Sequence, residues 1–366
     1  MRILQFIYDL GSGGAEKFIV TLSNELAEQG HDVILLQLLD DRSTAGNFNR
    51  QFLSDKVKYI NGGLSKGFSL SKVRHICKLV KNEKPDVVHG HLNVMPYVWP
   101  LVLSNKNKIR FVHTLHNLAQ YTAGSRFQKP INRFLYSHKY IQPVTISGLC
   151  HDSYHRFYSL QNDIHIDNGT AEVETSPRFE EVSEEIRKLK RTRDTKVFIH
   201  VGRFNPQKNQ KLLIESFNNI KKENADAILL IIGRDFDTEG GKHLKEIAHP
   251  DIHFLGEKNN VGDYLLNSDF FSLSSTYEGL PISILEAFSA GVTPVCTPVG
   301  GIPDVITDGV NGYLSEDCTL ENYTNAMRRA IDNPISSEEM IKIFEEGYSM
   351  KKCADKYLSV YKSEPN

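Results

Sequence analysis

Short apolar runs rich in β-branched residues alternate with longer stretches of helical periodicity along this chain. In the first half the runs are RILQFIY, DVILLQL, DVVHGH, IRFVHTL and YIQPVTI; in the second they are KVFIHVG, AILLIIG, DIHFLG, DFFSL and TPVCT. Strand-length runs separated by helical segments predict parallel sheets covered by helices on both faces. The rhythm breaks between Thr170 and Asp194, where Glu, Lys and Arg dominate and apolar residues are sparse, so this stretch reads as a linker, partly helical. The end of the chain, from about Ser336 to Lys362, reads as helix, with Phe344, Tyr348, Tyr357, Val360 and Tyr361 at helical spacing. The expected organisation is therefore an α/β domain over 1–170, a linker over 171–194, a second α/β domain over 195–345 and a terminal helix over 346–366. No repeat of 20–50 residues and no low-complexity tract interrupts it.

Length agrees with two domains, because 366 residues exceed what one hydrophobic core usually organises, and 40% apolar composition fills two. The formal net charge of −2 conceals an asymmetry. About 20 basic and 13 acidic groups fall in residues 1–170, leaving 23 and 32 for the rest. The positive first half suits an acidic partner, an anionic membrane surface or merely a solvated basic face, and requires no nucleic acid. Cys77, Cys150, Cys296, Cys318 and Cys353 are odd in number and far apart, as free thiols in a reducing compartment are. The N-terminus enters a strand pattern directly, so no secretory leader is expected. Apolar runs such as Ala227 to Ile232 are far shorter than the roughly 20 residues of a membrane-spanning helix. A cytoplasmic protein is expected, with any membrane contact peripheral.

In open parallel sheets ligands bind beyond the carboxyl ends of strands, and three segments carry chemistry there. The first is Gly11-Ser12-Gly13-Gly14-Ala15-Glu16, opening a helix to about Gln29. Glycines admit a ligand close to the backbone and a helix N-terminus attracts phosphate, although a glycine turn needed only for packing reads the same way. A dinucleotide fingerprint would place glycine where Glu16 stands, which disfavours a nicotinamide cofactor. The second is Val201-Gly202-Arg203-Phe204-Asn205-Pro206-Gln207-Lys208-Asn209, whose two cations suit a diphosphate. The third runs from Tyr277 to Ala287. Pro281 at the first helical position would leave the N–H groups of Ile282 and Ser283 free for phosphate oxygens. Carboxylates beside a phosphate must be aimed at hydroxyls instead, so Glu286 could accept from a ribose and Glu278 from a sugar ring.

Taken in order, the GSGGAE loop, DVVHGH, Thr114-Leu115-His116-Asn117, Ile146-Ser147, Asp167-Asn168-Gly169, HVGRFNPQKN, LLIIG, FLG and EGLPISILEAFSAGVTPVCTPVGGIPDVI resemble the family-4 retaining glycosyltransferases. The resemblance implies the glycosyltransferase-B fold: two facing Rossmann-like domains with parallel sheets, the C-terminal helix crossing back to the N-terminal domain. It implies a nucleotide-sugar donor, with the UDP-linked form expected, and a glycan or lipid-linked acceptor in cell-surface polysaccharide synthesis. Catalytic roles pass to His116, beside the donor sugar, and Glu278, on the transferred sugar. Donor binding passes to Gly13, Gly14, Arg203, Lys208, Lys258, Leu280, Ile282, Ser283 and Glu286. Arg203 and Lys208 hold the diphosphate, Glu286 the ribose, and the loop after Gly256, near Lys258, the base.

Thr170 stands where the family often has aspartate after Asn-Gly, so that turn receives no ligand role. Asp235-Phe236-Asp237 spells a metal-binding D-x-D, but it follows the LLIIG strand and the leaving group already has Arg203, Lys208 and helix N-termini; no metal or other cofactor is expected. No Cys/His set has zinc spacing. His89 and His91 end a strand, where they either line an acceptor site or are satisfied locally, and His113 alternates with the core face. The stretch Arg126 to Lys139, with Lys129, Arg133, Phe134 and Tyr136, mixes cations and aromatics as interfacial and ordinary amphipathic helices both do. The expected activity is hexosyl transfer with retention; the rival readings are a non-catalytic nucleotide-sugar-binding subunit of a glycan-assembly complex and a nucleotide-sugar epimerase of the same fold.

Overall fold

The computed structural model describes residues 1–41, 47–122, 127–223 and 225–363. Arg126, at the start of the basic-aromatic stretch, lies outside the described residues. The chain divides into two compact units, one formed by Met1–Ala171 with Ser349–Asn366 and the other by Glu172–Tyr348.

The first unit holds seven strands: β1 (Arg2–Ile7), β2 (Asp32–Leu39), β3 (Lys58–Leu64), β4 (Val87–His91), β5 (Arg110–Leu115), β6 (Gln142–Thr145) and β7 (Ile164–His165). They are all parallel, in the order β3-β2-β1-β4-β5-β6-β7. Its helices are α1 (Gly14–Glu28), α2 (Leu70–Glu83), α3 (Trp99–Asn105), α4 (Ala119–Thr122), α5 (Gln128–Ser137) and α6 (Gly148–Tyr158). The two-residue alternation of a strand divides the sheet's side chains between faces. Leu4, Phe6, Val88, Phe111 and Leu115 enter one apolar core together with Val98, Tyr136 and Tyr154. The opposite face carries Gln5, His89, His91 and Thr114, all buried, and is covered by α1 and by the C-terminal helix Met350–Lys362, which pack on each other. That helix starts after Ser349, whose side chain accepts from the Lys352 N–H, and Thr170 bridges to Ser349 in parallel. Thr170 is thus a structural tie.

The second unit has six parallel strands, β8 (Lys196–Val201), β9 (Ala227–Ile232), β10 (Ile252–Gly256), β11 (Phe270–Leu273), β12 (Thr293–Cys296) and β13 (Tyr313–Leu314), in the order β10-β9-β8-β11-β12-β13. Around them lie α7 (Phe179–Leu189), α8 (Gln210–Lys222), α9 (Glu239–Ile247), α10 (Val261–Leu265), α11 (Ile282–Ser289), α12 (Ile302–Val305), α13 (Leu320–Asp332) and α14 (Ser337–Ile343). Separate apolar clusters fill the two faces. One gathers Val197, Ile199, Phe271, Leu285 and Phe288, the other Phe198, Phe217, Leu229, Phe270 and Tyr323.

Three sequence expectations change. The 171–194 segment is part of the second unit, not a free linker: Val182 and Ile186, one turn apart on α7, enter its core, and the Ser176 N–H and hydroxyl both donate to the buried Asp263. Two apolar residues at that spacing are enough to dock a helix whose other positions are charged. The terminal helix begins at Met350, because the chain turns through Phe344–Tyr348 and stops at Ser349. Strands β3, β7 and β13 were not legible: β3 carries two glycines, and β7 and β13 are two residues long at sheet edges.

Gly90 of β4 has no room for a side chain, since a Cβ there would lie 2.5 Å from Met95 Sδ and 2.8 Å from Phe6 Cε1. Gly90→Ala is expected to cost roughly 1–3 kcal/mol by overpacking. Urea unfolding of the variant checks this, a wild-type midpoint being the contrary outcome.

Candidate functional site

In each sheet the strand order reverses once, between β1 and β4 in the first unit and between β8 and β11 in the second. Connections on either side of such a point depart to opposite faces and leave a crevice at the strands' carboxyl ends. The sequence motifs fall there.

In the second unit the loop after β8 and the loop after β11 are tied together by hydrogen bonds to backbone carbonyls. Gln207 Nε2 donates to the Tyr277 carbonyl at 2.7 Å, the Thr276 N–H donates to the Gln207 carbonyl at 2.8 Å, and Ser274 Oγ donates to the Lys208 carbonyl at 3.0 Å. Asn205 starts the short turn Pro206–Lys208 by accepting from the Gln207 N–H at 2.9 Å. These ties bring Lys208 Nζ to 2.7 Å from Glu278 Oε1, and the same oxygen accepts from Ser275 Oγ at 2.6 Å. Glu278 is buried, while Oε2 has no partner among the described residues. One carboxylate oxygen is thereby fixed and the other is left to accept. Behind it, Gly300 sits at φ +63°, where a Cβ would be 1.8 Å from the Glu278 carbonyl oxygen. The Gly301 N–H donates to the Gly279 carbonyl at 2.8 Å. Glycine is required at 300 on both grounds, conformation and approach.

Pro281 is the extended residue that precedes α11, not its first helical residue: its ψ is 120° and its carbonyl accepts from Ile284 at 3.1 Å. The helix starts at Ile282, and the N–H groups of Ile282 and Ser283 carry no hydrogen bond among the described residues. They are donors available to an anion, reinforced by the helix's aligned dipoles. Leu280 and Ile282 are buried, Ser283 is half-buried, and Glu286 is buried one turn into the helix. Arg203 is exposed, its carbonyl accepting from Gln210 Nε2 at 2.9 Å, and its guanidinium has no partner among the described residues. Lys258 lies 5.4 Å from the Tyr264 ring centre. Beside it, at the ends of β9 and β10, a cavity of about 440 Å³ is lined by Gly233, Arg234, Phe254, Gly256 and Glu257 among others. Asp235 and Asp237 are exposed and engaged with different cations, Asp235 with Arg234 at 3.6 Å and Asp237 with Lys245 at 2.7 Å.

In the first unit, Gly13 and Gly14 are exposed at the start of α1. A Cβ at Gly13 would lie 2.2 Å from Glu16 Oε2, so the Glu16 side chain folds back over the helix start and would have to swing aside for a larger residue there. His116 follows β5 on the same face as Thr114. Its Nε2 lies 2.8 Å from His91 Nδ1, its ring stacks on His91 with centres 5.1 Å apart, and Phe18 meets it edge-on at 5.3 Å. His91 Nε2 is 2.8 Å from Gln5 Oε1, and Gln5 Nε2 donates to Tyr361 OH at 3.1 Å. The other branch runs from Tyr361 OH to His89 Nδ1 at 2.7 Å, from His89 Nε2 to Thr114 Oγ1 at 2.7 Å, and on to Tyr357 OH at 3.0 Å. His89 and His91 are therefore interior residues satisfied by internal bonds, and not an exposed acceptor-lining pair. His113 bonds Tyr136 OH and the Leu92 carbonyl, a structural role.

Burial drives the His89 and His91 imidazoles well below their ordinary range, neighbouring histidines adding to it; burial and then His113 lower His116 to about 3. All three are neutral at pH 7, so each ring has one N–H and one lone pair. Because Gln5 Oε1 can only accept, His91 carries its proton on Nε2 and accepts on Nδ1. His116 must then donate from Nε2, which leaves its Nδ1 as a lone pair with no partner among the described residues. Gln5 is not singled out by its local sequence, and His91 is marked there only as a strand-end histidine that lines an acceptor site or is satisfied locally; the signal for their pairing is the alternation that puts Gln5, His91 and Thr114 on one face.

The arrangement predicts a single His116 tautomer. Nitrogen-15 histidine spectra of the protein are expected to find Nε2–H and an unprotonated Nδ1. His91→Leu, which removes the acceptor, should yield a mixture, and His91→Asn, whose Oδ1 replaces Nδ1, should restore the single form. The opposite tautomer in wild type, or no change in His91→Leu, overturns the assignment.

Residues 12–166 match the model of Glycosyltransferase Family 4 and residues 181–346 that of Glycosyl transferases group 1. Among relatives, the Escherichia coli UDP-Gal:alpha-D-GlcNAc-diphosphoundecaprenol alpha-1,3-galactosyltransferase is 26% identical over 85% of this chain and 85% of its own. The Bacillus anthracis N-acetyl-alpha-D-glucosaminyl L-malate synthase is 27% identical over 95% and 93%. Anabaena HepE, solved in complex with UDP and glucose, shares the fold at TM-score 0.78 and 16% identity, over 99% of this chain and 100% of its own. Both Rossmann-like units, their parallel sheets and the two adjoining family matches lead to one assignment: the chain belongs to the family-4, group 1 glycosyltransferases of the glycosyltransferase-B fold.

Proposed function

We propose that this transferase moves a hexose from a UDP-linked donor to a glycan or lipid-linked glycan acceptor, with retention, in cell-surface polysaccharide synthesis. The observation that carries the reading is the Lys208–Glu278 pair beside the free N–H groups of Ile282 and Ser283. An ammonium, two amide donors and the unpartnered Arg203 suit a diphosphate, while Glu278 Oε2 and the buried Glu286 are acceptors suited to hydroxyls. Two relatives support the reading: the Escherichia coli enzyme is a UDP-Gal:alpha-D-GlcNAc-diphosphoundecaprenol galactosyltransferase, and a Staphylococcus aureus relative is a capsular polysaccharide biosynthesis glycosyltransferase.

In the proposed reaction the bond from the anomeric carbon to the diphosphate oxygen breaks, and positive charge develops on the sugar. Lys208, Arg203 and the start of α11 stabilise the departing diphosphate more than the intact donor, which lowers the barrier. The acceptor hydroxyl attacks from the face the diphosphate leaves, and its proton passes to a leaving phosphate oxygen. Glu278 is committed through Oε1 to Lys208 and Ser275, which suits a residue that orients a hydroxyl through Oε2. The His116 Nδ1 lone pair of the first unit is suited to accept from a sugar hydroxyl. A depressed basicity makes His116 an orienting acceptor rather than an obligatory base.

We extend the proposal to peripheral contact with an anionic membrane at the inner face of the cytoplasmic membrane. No helix among the described residues is long and apolar enough to cross a membrane. Phe127, Ile131 and Phe134 form an exposed apolar stripe along α5, with Phe127 75% exposed. Of the nearby cations, Lys129 lies over the Phe157 ring and Arg133 Nε donates to the Tyr158 carbonyl at 2.8 Å, so both anchor α5 to α6 while staying exposed. Apolar side chains flanked by cations suit the headgroup boundary.

Lys208→Ala and Arg203→Ala are each expected to lower donor turnover at least about tenfold, from loss of a charge-assisted contact of about 1.5–3 kcal/mol. Wild-type kinetics in either folded variant removes the diphosphate assignment. Turnover is expected to persist in EDTA; loss restored by magnesium or manganese would bring Asp235 and Asp237 into the chemistry. Co-sedimentation should favour anionic over neutral vesicles, weaken with salt, and fall in Phe127→Ser/Phe134→Ser. Equal, negligible binding to both vesicle types ends the membrane proposal and leaves the transferase reading standing.

A further inference from the structure

On the far side of the first unit's sheet from its switch point, the structure gathers His151, His155 and Asp163. The two histidines are four residues apart on α6, which places them on successive turns of one face, with ring centres 3.9 Å apart. Asp163 comes from the chain just before β7. Its Oδ2 is 2.8 Å from His151 Nδ1 and its Oδ1 is 2.9 Å from His155 Nε2. One ligand atom from each residue lies within 4.8 Å of the other two. The sequence spacing alone did not disclose this set, because the third member is an aspartate supplied after the helix has ended.

Three features separate the cluster from an ordinary surface contact. The Asp163 side chain is 0% exposed, yet among the described residues it has no lysine or arginine partner. A buried carboxylate without a permanently charged partner is poorly compensated. Its orientation is fixed from behind by Thr145 Oγ1, which donates to Oδ2 at 2.7 Å from the last residue of β6, the kind of support that outer hydrogen bonds give to metal ligands. Both imidazoles remain open to solvent on their outer edges, 36% and 27% exposed, so an ion has an entry path and room for water.

We propose that His151, His155 and Asp163 form a site for one divalent cation of the zinc class, independent of the glycosyl-transfer site. Two imidazole nitrogens and one carboxylate oxygen are the donor set preferred by zinc and its late first-row neighbours and are unsuited to magnesium or calcium, which take oxygens. Three protein ligands leave the fourth tetrahedral position to water. Binding exchanges the two N–H contacts to Asp163 for bonds to the ion. Each ligating nitrogen gives up its N–H proton, to solvent or to the other nitrogen of its ring, as the bond to the ion forms. The bound ion neutralises the buried carboxylate and clamps α6 to the end of β6 and the start of β7.

Zinc titration of the metal-free protein against a chromophoric chelator is the direct test, with thermal unfolding alongside. About one equivalent is expected to bind, with a midpoint raised by roughly 5 °C at a hundredfold excess over Kd. His151→Gln and His155→Gln, each at a partly exposed position that the fold tolerates, should weaken binding at least tenfold. His165→Gln, at the neighbouring histidine that pairs with Asp167, should not. Cobalt substitution should give the visible absorption of a four-coordinate ion. Absence of saturable zinc binding, retention of wild-type affinity in both His151→Gln and His155→Gln, or loss in His165→Gln alone would each overturn the site. None of these outcomes depends on turnover.

Discussion

The reversal of strand order in each parallel sheet is the constraint on which the rest of this structure depends. A strand cannot be followed by helices on both faces at once, so the two strands flanking the reversal send their connections apart and leave their carboxyl ends uncovered. In the second unit those strands are β8 and β11, and their loops are the ones tied together through Gln207, Tyr277, Thr276 and Ser274. Lys208 and Glu278 are 70 residues apart in sequence but 2.7 Å apart in space for that reason. The close approach of glycine backbones, at Gly300 behind Glu278 and at Gly233 against Gly202, removes the side chains that would hold these loops apart.

The first unit applies the same geometry to a different end. Its uncovered strand ends carry imidazoles instead of an ion pair, and the polar atoms beneath them are buried. Burying so many donors and acceptors is tolerable only when each is paired. Gln5, His89, His91, Thr114, Tyr357 and Tyr361 meet that demand by bonding in series, and His116 stands at the end of the series with one nitrogen committed and the other free. The hydrogen-bond polarity at the half-buried His116 is therefore decided in the interior, by an amide and by tyrosines of the C-terminal helix.

Much of this was legible in the sequence, for physical reasons that differ from element to element. The central strands announce themselves because strands buried on both faces are continuous apolar runs, as in AILLII. The glycine-rich loop, the cations after β8 and the glutamates around Pro281 were visible because ligand chemistry restricts residue type more tightly than packing does. Edge strands were not: β13 needs only Tyr313 and Leu314 to pair with Val295 and Cys296, too few residues to show a period. The α7 segment hid behind its charge, since only Val182 and Ile186 declare its buried side. Pairings of residues distant in sequence, Lys208 with Glu278, Gln5 with His91, and Asp163 with His151 and His155, are properties of the topology. No local window contains them.

The first unit is discontinuous: its sheet is made of Met1–Ala171, yet its last helix is Met350–Lys362, with the whole second unit inserted between. During synthesis at about 5–20 residues per second, the ribosome spends on the order of ten to forty seconds on that insertion. Throughout this interval Gln5, His89 and Thr114 have strands around them but no Tyr357 or Tyr361 to bond, and one face of the sheet has only α1 for cover. The second unit, continuous in sequence, meets no such delay. The order of maturation is thus written into the path of the chain: the half that carries Lys208 and Glu278 can be finished first, and the half that carries His116 waits for the final helix.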